Sequence, residues 1–123
     1  IKQLAISKNH FKHYIDVIKK VRSNGGDVIV SFGGAVGNEI ATSEYSDEKL
    51  FLKYKAVVDR YDLKAIDLDI EGEGLKDLKA CNRRAKAILE LRNIYPNLEV
   101  TMTVPVMPTG LSKDGCILAF AAK

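Results

Sequence analysis

Apolar residues recur along the chain with two periods, and segments with the two periods alternate. Spacings of three to four residues are typical of a helix with one buried face and predict three helices. Their apolar positions are Phe11, Tyr14, Ile15, Ile18 and Val21, then Leu50, Tyr54, Val57, Val58 and Tyr61, and then Leu78, Cys81, Ala85, Ile88 and Leu89. Gly25-Gly26 ends the first helix, the second begins near Ser46, and a fourth helix is predicted from about Ser112 to Lys123.

Segments rich in β-branched or alternating apolar residues lie between the helices and predict three strands. These are Val28–Phe32, Ala65–Glu71 and Leu98–Val106, the last two clearly alternating. Strands separated by helical crossovers form a parallel sheet with right-handed connections. No linker, repeat or low-complexity tract interrupts the α-β-α-β-α-β-α order, so residues 1–123 are predicted to form one α/β unit.

The two faces of the predicted strands differ in polarity. One face is apolar and carries Val28, Val30 and Phe32, then Ile66, Leu68 and Ile70, and then Leu98, Val100, Met102 and Val104. The opposite face is small, polar or acidic and carries Ser31 and Gly33, then Asp67, Asp69 and Glu71, and then Thr101 and Thr103. Parallel sheets usually bury apolar residues on both faces. A polar face therefore indicates a barrel lumen that opens into a substrate cleft.

Composition and charge exclude several other classes of protein. The chain is 46% hydrophobic and 28% charged, as in ordinary globular proteins, and no apolar run approaches the ~18 residues of a membrane span. The net charge of +3, with basic residues scattered along the chain, argues against nucleic-acid binding. Cys81 and Cys116 lack metal-ligand spacing. We interpret them as buried thiols, although a single bridge between them stays open.

The acidic strand is the strongest candidate for chemistry. Asp67, Asp69 and Glu71 share one face of a strand, with Cα atoms roughly 6.6 Å apart in succession. Carboxylates this close cannot all ionise freely, so at least one pKa is expected to rise, as a general acid requires near neutral pH. Two other interpretations stay open. The acids could form the solvated face of an edge strand, or they could hold Mg²⁺ for phosphoryl chemistry.

Three segments of the sequence resemble glycoside hydrolase family 18, the chitinases and related endo-N-acetylglucosaminidases. They are Val-Ser-Phe-Gly-Gly at 30–34, Ile-Asp-Leu-Asp-Ile-Glu-Gly at 66–72, and Thr-Val-Pro-Val-Met-Pro-Thr-Gly-Leu at 103–111. The family has a Ser-x-Gly-Gly strand and an Asp-x-x-Asp-x-Asp-x-Glu strand in this order. The first Asp of that motif falls here at Lys64, while Asp62 is two residues out of register. No Trp and no later Met-x-Tyr-Asp segment, both used by the family, occurs in the chain.

This resemblance implies a partial (β/α)8 TIM barrel, covering about strands 3 to 5, because a complete barrel needs ~250 residues. The start at Ile1 without Met agrees with a piece of a longer chain. An open parallel sheet leaves its edges uncovered. We therefore expect the isolated chain to self-associate or to be partly molten.

The resemblance also implies hydrolysis of β-1,4-linked N-acetylglucosamine polymers, chitin or chitooligosaccharides, with retention of configuration. The acetamide of the substrate supplies the nucleophile, an exception among glycosidases. Glu71 is then the general acid and later the base, Asp69 orients the acetamide and stabilises the cyclic intermediate, and Asp67 hydrogen-bonds Asp69. No metal or organic cofactor is implied, and secretion is usual in the family.

Five further residues are candidates for substrate binding. Ser31, Gly33 and Gly34 would keep the cleft floor small and polar, although a tight turn after a strand explains them equally well. Thr103 and Met107 would line the cleft from the next strand, with packing as the alternative for Met107. A non-catalytic chitooligosaccharide-binding module and a Mg²⁺-dependent phosphotransferase are the alternatives to a glycosidase. The presence of Glu71 favours the enzyme.

Overall fold

The computed structural model describes residues 8–35 and 39–112, with side chains from residue 14 onward. The helices are α1 (Lys8–Ser23), α2 (Ile40–Ser43), α3 (Asp47–Tyr61) and α4 (Leu78–Ile94), with a 3-10 helix at Gly72–Leu75. The strands are β1 (Val30–Gly33), β2 (Ala65–Asp69), β3 (Glu99–Thr103), β4 (Val106–Met107) and β5 (Gly110–Leu111). The three predicted helices that fall in this part of the chain are confirmed. The predicted fourth helix lies outside the described residues except for Ser112.

The strands β1, β2 and β3 form one parallel sheet, with β2 in the centre. The register places Ser31, Asp67 and Thr101 in one row across the sheet and Gly33, Asp69 and Thr103 in another. The predicted parallel sheet is therefore confirmed. So is the grouping of its small and polar side chains on one face, because residues in register point to the same side.

The apolar face of the sheet packs against α3 and α4, as the sequence predicts. Its central residues Ile66 and Leu68 are fully buried. The core residues facing them are Leu50, Tyr54 and Val58 of α3 and Ala80, Cys81, Ala87, Ile88 and Leu91 of α4. Small alanines on α4 allow the backbones to approach closely. Ser46 caps α3 by accepting a hydrogen bond from the Lys49 amide, and Asp77 caps α4 in the same way from Ala80.

The prediction of a buried apolar stripe on α4 was wrong at two positions. Leu78 and Leu89 are 56% and 52% exposed. Leu78 begins the helix, and Leu89 lies one residue, or about 100°, from the buried Ile88 around the helix axis. Arg84 lies instead in the buried stripe, between Cys81 and Ile88, with none of its surface exposed.

The strand limits also differ from the predicted ones. The ladder of β2 ends at Asp69 because both neighbouring strands end in that row, at Gly33 and Thr103. Glu71 keeps an extended backbone beyond it. The predicted strand to Val106 is broken because Pro105 cannot donate a backbone hydrogen bond. A short hairpin follows, in which β4 and β5 pair antiparallel.

The buried Cys81 is disulfide-bonded, so its interpretation as a thiol was wrong. Cys116, the other cysteine of the chain, lies outside the described residues. In the part of the chain that the structure describes, no helix combines the length and the apolar character that crossing a membrane requires.

Candidate active site

The carboxylate of Asp67 is held by hydroxyl groups from both neighbouring strands. Ser31 Oγ donates to Asp67 Oδ2 over 2.7 Å, Thr101 Oγ1 donates to Oδ1 over 2.8 Å, and Thr103 Oγ1 donates to Oδ2 over 3.1 Å. We call these four residues the hydroxyl cluster. Burial by itself raises the pKa of Asp67, but the three hydroxyl bonds and the backbone amide of Leu68 outweigh it and hold the pKa below its usual value. Asp67 is therefore ionised at neutral pH.

The carboxylates of Asp69 and Glu71 line an open cavity of 490 Å³ at the carboxyl end of β2. We call it the acidic cavity; the other residues lining it are Gly34, Ala35, Glu39, Thr42, Ile70, Gly72, Glu73, Gly74 and Asp77. It lies at the carboxyl end of a parallel sheet, where active sites of (β/α) barrels are found. Glu73 is paired with Lys76 over 2.7 Å, and Asp77 is occupied by capping α4. Asp69 and Glu71 thus have no cation paired with them among the described residues.

The environment of Glu71 favours its protonated form. Loss of solvent around the carboxyl, the negative charge of Asp69 and hydrogen bonding with Asp69 together raise the pKa of Glu71 above its usual value. The expected rise of one carboxyl pKa in the acidic strand thus falls on Glu71. The Oδ1 atom of Asp69 is buried and has no hydrogen-bond partner in the described structure. An unsatisfied buried carboxylate oxygen costs free energy.

The relation between Asp67 and Asp69 differs from the one that the resemblance implies. In the described structure the oxygens of Asp67 bind the hydroxyls of Ser31, Thr101 and Thr103, and Asp69 interacts with Glu71. Strand geometry explains this: hydroxyls in register are nearer to Asp67 than the next carboxylate along its own strand, which also repels it. Lys64, at the position of the family's first Asp, pairs with Asp62 at the opposite, exposed end of β2.

Glycines allow the loop after β1 to approach β2 closely. Gly33 has a φ of +121°, and a Cβ atom there would stand 1.9 Å from the backbone oxygen of Asp69. The amide of Gly34 donates to that same oxygen over 2.9 Å. No other residue fits at Gly33 without displacing the end of β2. Gly33 and Gly34 thus form the turn after a strand, and Gly34 also lines the acidic cavity.

The structure does not bring all predicted substrate-binding residues to the acidic cavity. Ser31 and Thr103 belong to the hydroxyl cluster below it. Met107 lies on the hairpin and is 59% exposed, so it does not pack in the core. None of these three residues lines the acidic cavity.

A buried ion pair beside the cavity was missed by the sequence analysis. Arg84 Nη2 donates to Glu39 Oε2 over 2.6 Å, and the hydroxyl of Tyr54 donates to Glu39 Oε1. The helical spacing of Arg84 from Cys81 and Ile88 was a signal that Arg84 is buried. Its partner Glu39 is 45 residues away in sequence and carried no such signal. Within the described residues, no group of three His, Cys, Asp or Glu side chains is arranged to hold a metal ion.

No protein-family model matches the sequence. The chain is similar to two curated proteins over 110 residues, or 86% of its length. It is 34% identical to a probable bifunctional chitinase/lysozyme of Escherichia coli strain K12, of which it covers 12%. It is 33% identical to endochitinase 11 of Metarhizium anisopliae, of which it covers 21%. The chain thus spans a small part of each relative.

The structure is similar to chitinase domains from Pyrococcus furiosus. It matches catalytic-site mutants of active domain 2 with a TM-score of 0.79 and 30% identity, covering 91% of this chain and 36% of that one. A complex of such mutants with chito-oligosaccharides gives a TM-score of 0.78, and the catalytic domain of the hyperthermophilic chitinase gives 0.76, with the same coverage. The resemblance to chitinases and the partial (β/α)8 barrel are therefore confirmed.

Proposed function

We propose, since the chain corresponds to part of a chitinase catalytic domain, that it carries the catalytic acids of a glycosidase. The proposed substrates are β-1,4-linked N-acetylglucosamine polymers, chitin and chitooligosaccharides. The observation that carries the proposal is the pair Asp69 and Glu71 in the wall of one open cavity, with the pKa of Glu71 raised. A carboxyl with a raised pKa keeps its proton closer to neutral pH and can deliver it to a glycosidic oxygen.

In the proposed reaction Glu71 protonates the glycosidic oxygen as the bond to the anomeric carbon breaks. The carbonyl oxygen of the substrate's own acetamide attacks that carbon and forms a cyclic cationic intermediate, as in the substrate-assisted exceptions among glycosidases. Glu71, now ionised, takes a proton from water as the water opens this ring, and configuration is retained. The proton balance closes, because the proton given to the leaving group returns from water.

Asp69 is proposed to orient the acetamide and to stabilise the positive charge of the intermediate. Its carboxyl belongs to the lining of the acidic cavity, and a carboxylate oxygen there can accept the acetamide N–H. Its negative charge adjoins the site where positive charge develops, which is the arrangement that lowers a transition state most effectively. Asp67 is proposed to support β2 from below, as an anion held by the hydroxyl cluster.

Ser31, Gly33, Gly34, Thr103 and Met107 are proposed to contribute to the substrate side of the sheet in different ways. Gly34 adjoins the sugar directly, since it lines the acidic cavity. Gly33 sets the distance between the loop and β2. Ser31 and Thr103 act through Asp67, and Met107 offers an exposed apolar contact from the hairpin.

The proposal is tested with the full-length protein and, beside it, the 123-residue chain. A fluorogenic chitobiose glycoside is the substrate, and Glu71→Gln is the variant, each with and without EDTA. We expect hydrolysis by the full-length protein to fall by a factor of about 10³ in Glu71→Gln and to be unchanged by EDTA. Loss of activity with EDTA would favour the Mg²⁺-dependent alternative. Binding of chitooligosaccharides without hydrolysis would favour a non-catalytic module.

We propose further that residues 1–123 act as one unit that self-associates when isolated. Large apolar side chains are exposed on the hairpin, namely Val106, Met107 and Leu111. An apolar groove of 540 Å³ also lies between α1, β1 and α3. Sedimentation velocity over a range of concentrations tests this, and a monomer at every concentration with a sharp unfolding transition would contradict it.

A further inference from the structure

Glu39 is the centre of a buried polar cluster at the start of α2. Its carboxylate accepts hydrogen bonds from the Tyr54 hydroxyl, from Arg84 Nη2 over 2.6 Å and from the Ala41 amide over 2.9 Å. Glu39 is 5% exposed, while Tyr54 and Arg84 are not exposed at all. Burial and then the charge of Glu39 raise the pKa of Tyr54, so its phenol stays protonated and donates. We call Glu39, Tyr54 and Arg84 the buried triad.

The buried triad ties the start of α2 to two other helices. Tyr54 belongs to α3 and Arg84 to α4, and the neighbouring Arg83 also donates to the Ala41 carbonyl over 2.7 Å. Glu39 itself caps α2 by accepting a hydrogen bond from the Ala41 amide. The start of α2 is therefore held against both α3 and α4.

The start of α2 forms part of the wall of the acidic cavity. Glu39 and Thr42 both line the cavity together with Asp69 and Glu71. Thr42 is held in turn by Glu39, because its amide and its hydroxyl donate to the Glu39 carbonyl over 3.0 Å and 2.6 Å. A shift of Glu39 would move Thr42 relative to the two acids.

Stability alone is a weak explanation for this arrangement. Burying an ion pair costs free energy that its attraction only partly returns, and apolar replacements of such pairs are often neutral or stabilising. Here Nε and Nη1 of Arg84 are buried without partners among the described residues, which adds to the cost. What an ion pair with three directional bonds does provide is a single geometry for the start of α2.

We infer that Glu39, held by Arg84 and Tyr54, is a positioning residue that fixes the start of α2, with Thr42, as one wall of the cavity in which the sugar meets Asp69 and Glu71. Glu39 has no proton-transfer role in this inference, because both its oxygens are occupied. The inference rests on the proposed function. Its effect on the reaction follows from the steep loss of rate that accompanies displacements of about 1 Å in an active site.

The test uses the full-length protein and three variants. Glu39→Gln keeps the size of the side chain and removes the charge that Arg84 requires. Tyr54→Phe removes one hydroxyl and keeps the ring contact with Phe32, whose centroid lies 4.9 Å away. Ile88→Val is the matched control, because Ile88 is buried on α4 like Arg84 but does not line the acidic cavity. For each protein we would measure kcat and KM for a soluble chitooligosaccharide, well below the unfolding temperature, and hydrogen exchange of the Thr42 amide, which donates to the Glu39 carbonyl over 3.0 Å.

We expect Glu39→Gln to lower kcat roughly tenfold, with KM changed less than about threefold, and to speed exchange at the Thr42 amide by a similar factor. Tyr54→Phe should have a smaller effect in the same direction, and Ile88→Val should change neither quantity. If Glu39→Gln lowers the unfolding temperature but matches Ile88→Val in kcat and in Thr42 exchange, the inference is overturned. If the unmodified protein does not hydrolyse the substrate, the proposed function fails, and Thr42 exchange then decides the positioning role by itself.

Discussion

The hydroxyl cluster and the acidic cavity contain carboxyl groups from the same short segment, but the two environments shift the carboxyl pKa in opposite directions. Asp67 accepts three hydroxyl bonds, and its pKa is lowered in spite of burial. Glu71, two rows further along, loses solvent and faces the charge of Asp69, and its pKa is raised. Equal spacing along a strand therefore does not give equal chemistry.

The difference follows from the length of the sheet. Asp67 has a residue of β1 on one side and a residue of β3 on the other, so neighbouring strands supply hydrogen-bond donors. The last paired row of the sheet is the row of Asp69, and Glu71 lies beyond it. No residue of β1 or β3 is paired with Glu71. In the paired part of β2, the carboxylate of Asp67 is stabilised as an anion. Beyond the paired part, the carboxyl of Glu71 can hold and release a proton.

Among the substitutions that test this difference, Asp69→Asn is expected to have the largest effect. Removing the charge next to Glu71 takes away a cause of its raised pKa, so this pKa should fall. Since a general acid acts in its protonated form, the high-pH limb of kcat/KM should move to lower pH. We also expect kcat/KM to fall by a factor of about 10² to 10³, as the positive intermediate loses its counter-charge. A pH–rate profile of the full-length protein measures both, and an unmoved limb would contradict the link between Asp69 and Glu71.

Gly33→Ala should disturb the ends of β1 and β2, where the hydroxyl cluster and the acidic cavity meet. The new Cβ atom would lie 1.9 Å from the Asp69 carbonyl oxygen, and φ is +121°, so β1 and β2 must separate at their ends. We expect a loss of about 3 kcal/mol or more in the free energy of unfolding. Gly72→Ala is the control, because its φ is +54° but nothing lies within 4 Å of a Cβ there, and it should cost about 1 kcal/mol. Equal losses in denaturant unfolding would mean that the close approach at Gly33 is unimportant.

Sequence reasoning predicted the parts of this comparison that depend on local pattern. Alternation along the chain identified the polar face, and it placed Asp67 and Asp69 on the same face as hydroxyl and glycine positions of the other strands. It could not assign the partners of Asp67, because these depend on the register between strands far apart in sequence. The same limit applies to Glu39, whose partners Tyr54 and Arg84 come together only through the packing of α3 and α4.

Asp67→Asn should show that the lowered pKa of Asp67 makes the stability of the folded protein depend on pH. A carboxylate whose folded pKa is depressed adds stability above its unfolded pKa of about 3.9, and this stability is lost as pH falls through the folded pKa. At pH 7 we expect the variant to be less stable by about 2 kcal/mol, the loss of hydrogen bonds to a charged group. The difference in free energy of unfolding should shrink from about pH 5 downward. A difference that stays constant to pH 2 would show that Asp67 is not an anion stabilised by its neighbours.

The smallest effects should distinguish two of the hydroxyls, those of Ser31 and Thr103, from one another. Ser31 Oγ is 2.7 Å from Asp67 Oδ2, and Thr103 Oγ1 is 3.1 Å from the same atom. Because the shorter bond to a charged oxygen is the stronger, Ser31→Ala should cost about 1.5 kcal/mol and Thr103→Val about 0.5 kcal/mol. Neither variant removes a group that lines the acidic cavity, so kcat should change less than about threefold in both. Denaturant unfolding and kcat measured on the same samples separate the two regions. A large fall in kcat for Ser31→Ala at unchanged stability would instead mean that Ser31 acts on the substrate itself, and that the hydroxyl cluster and the acidic cavity form one site.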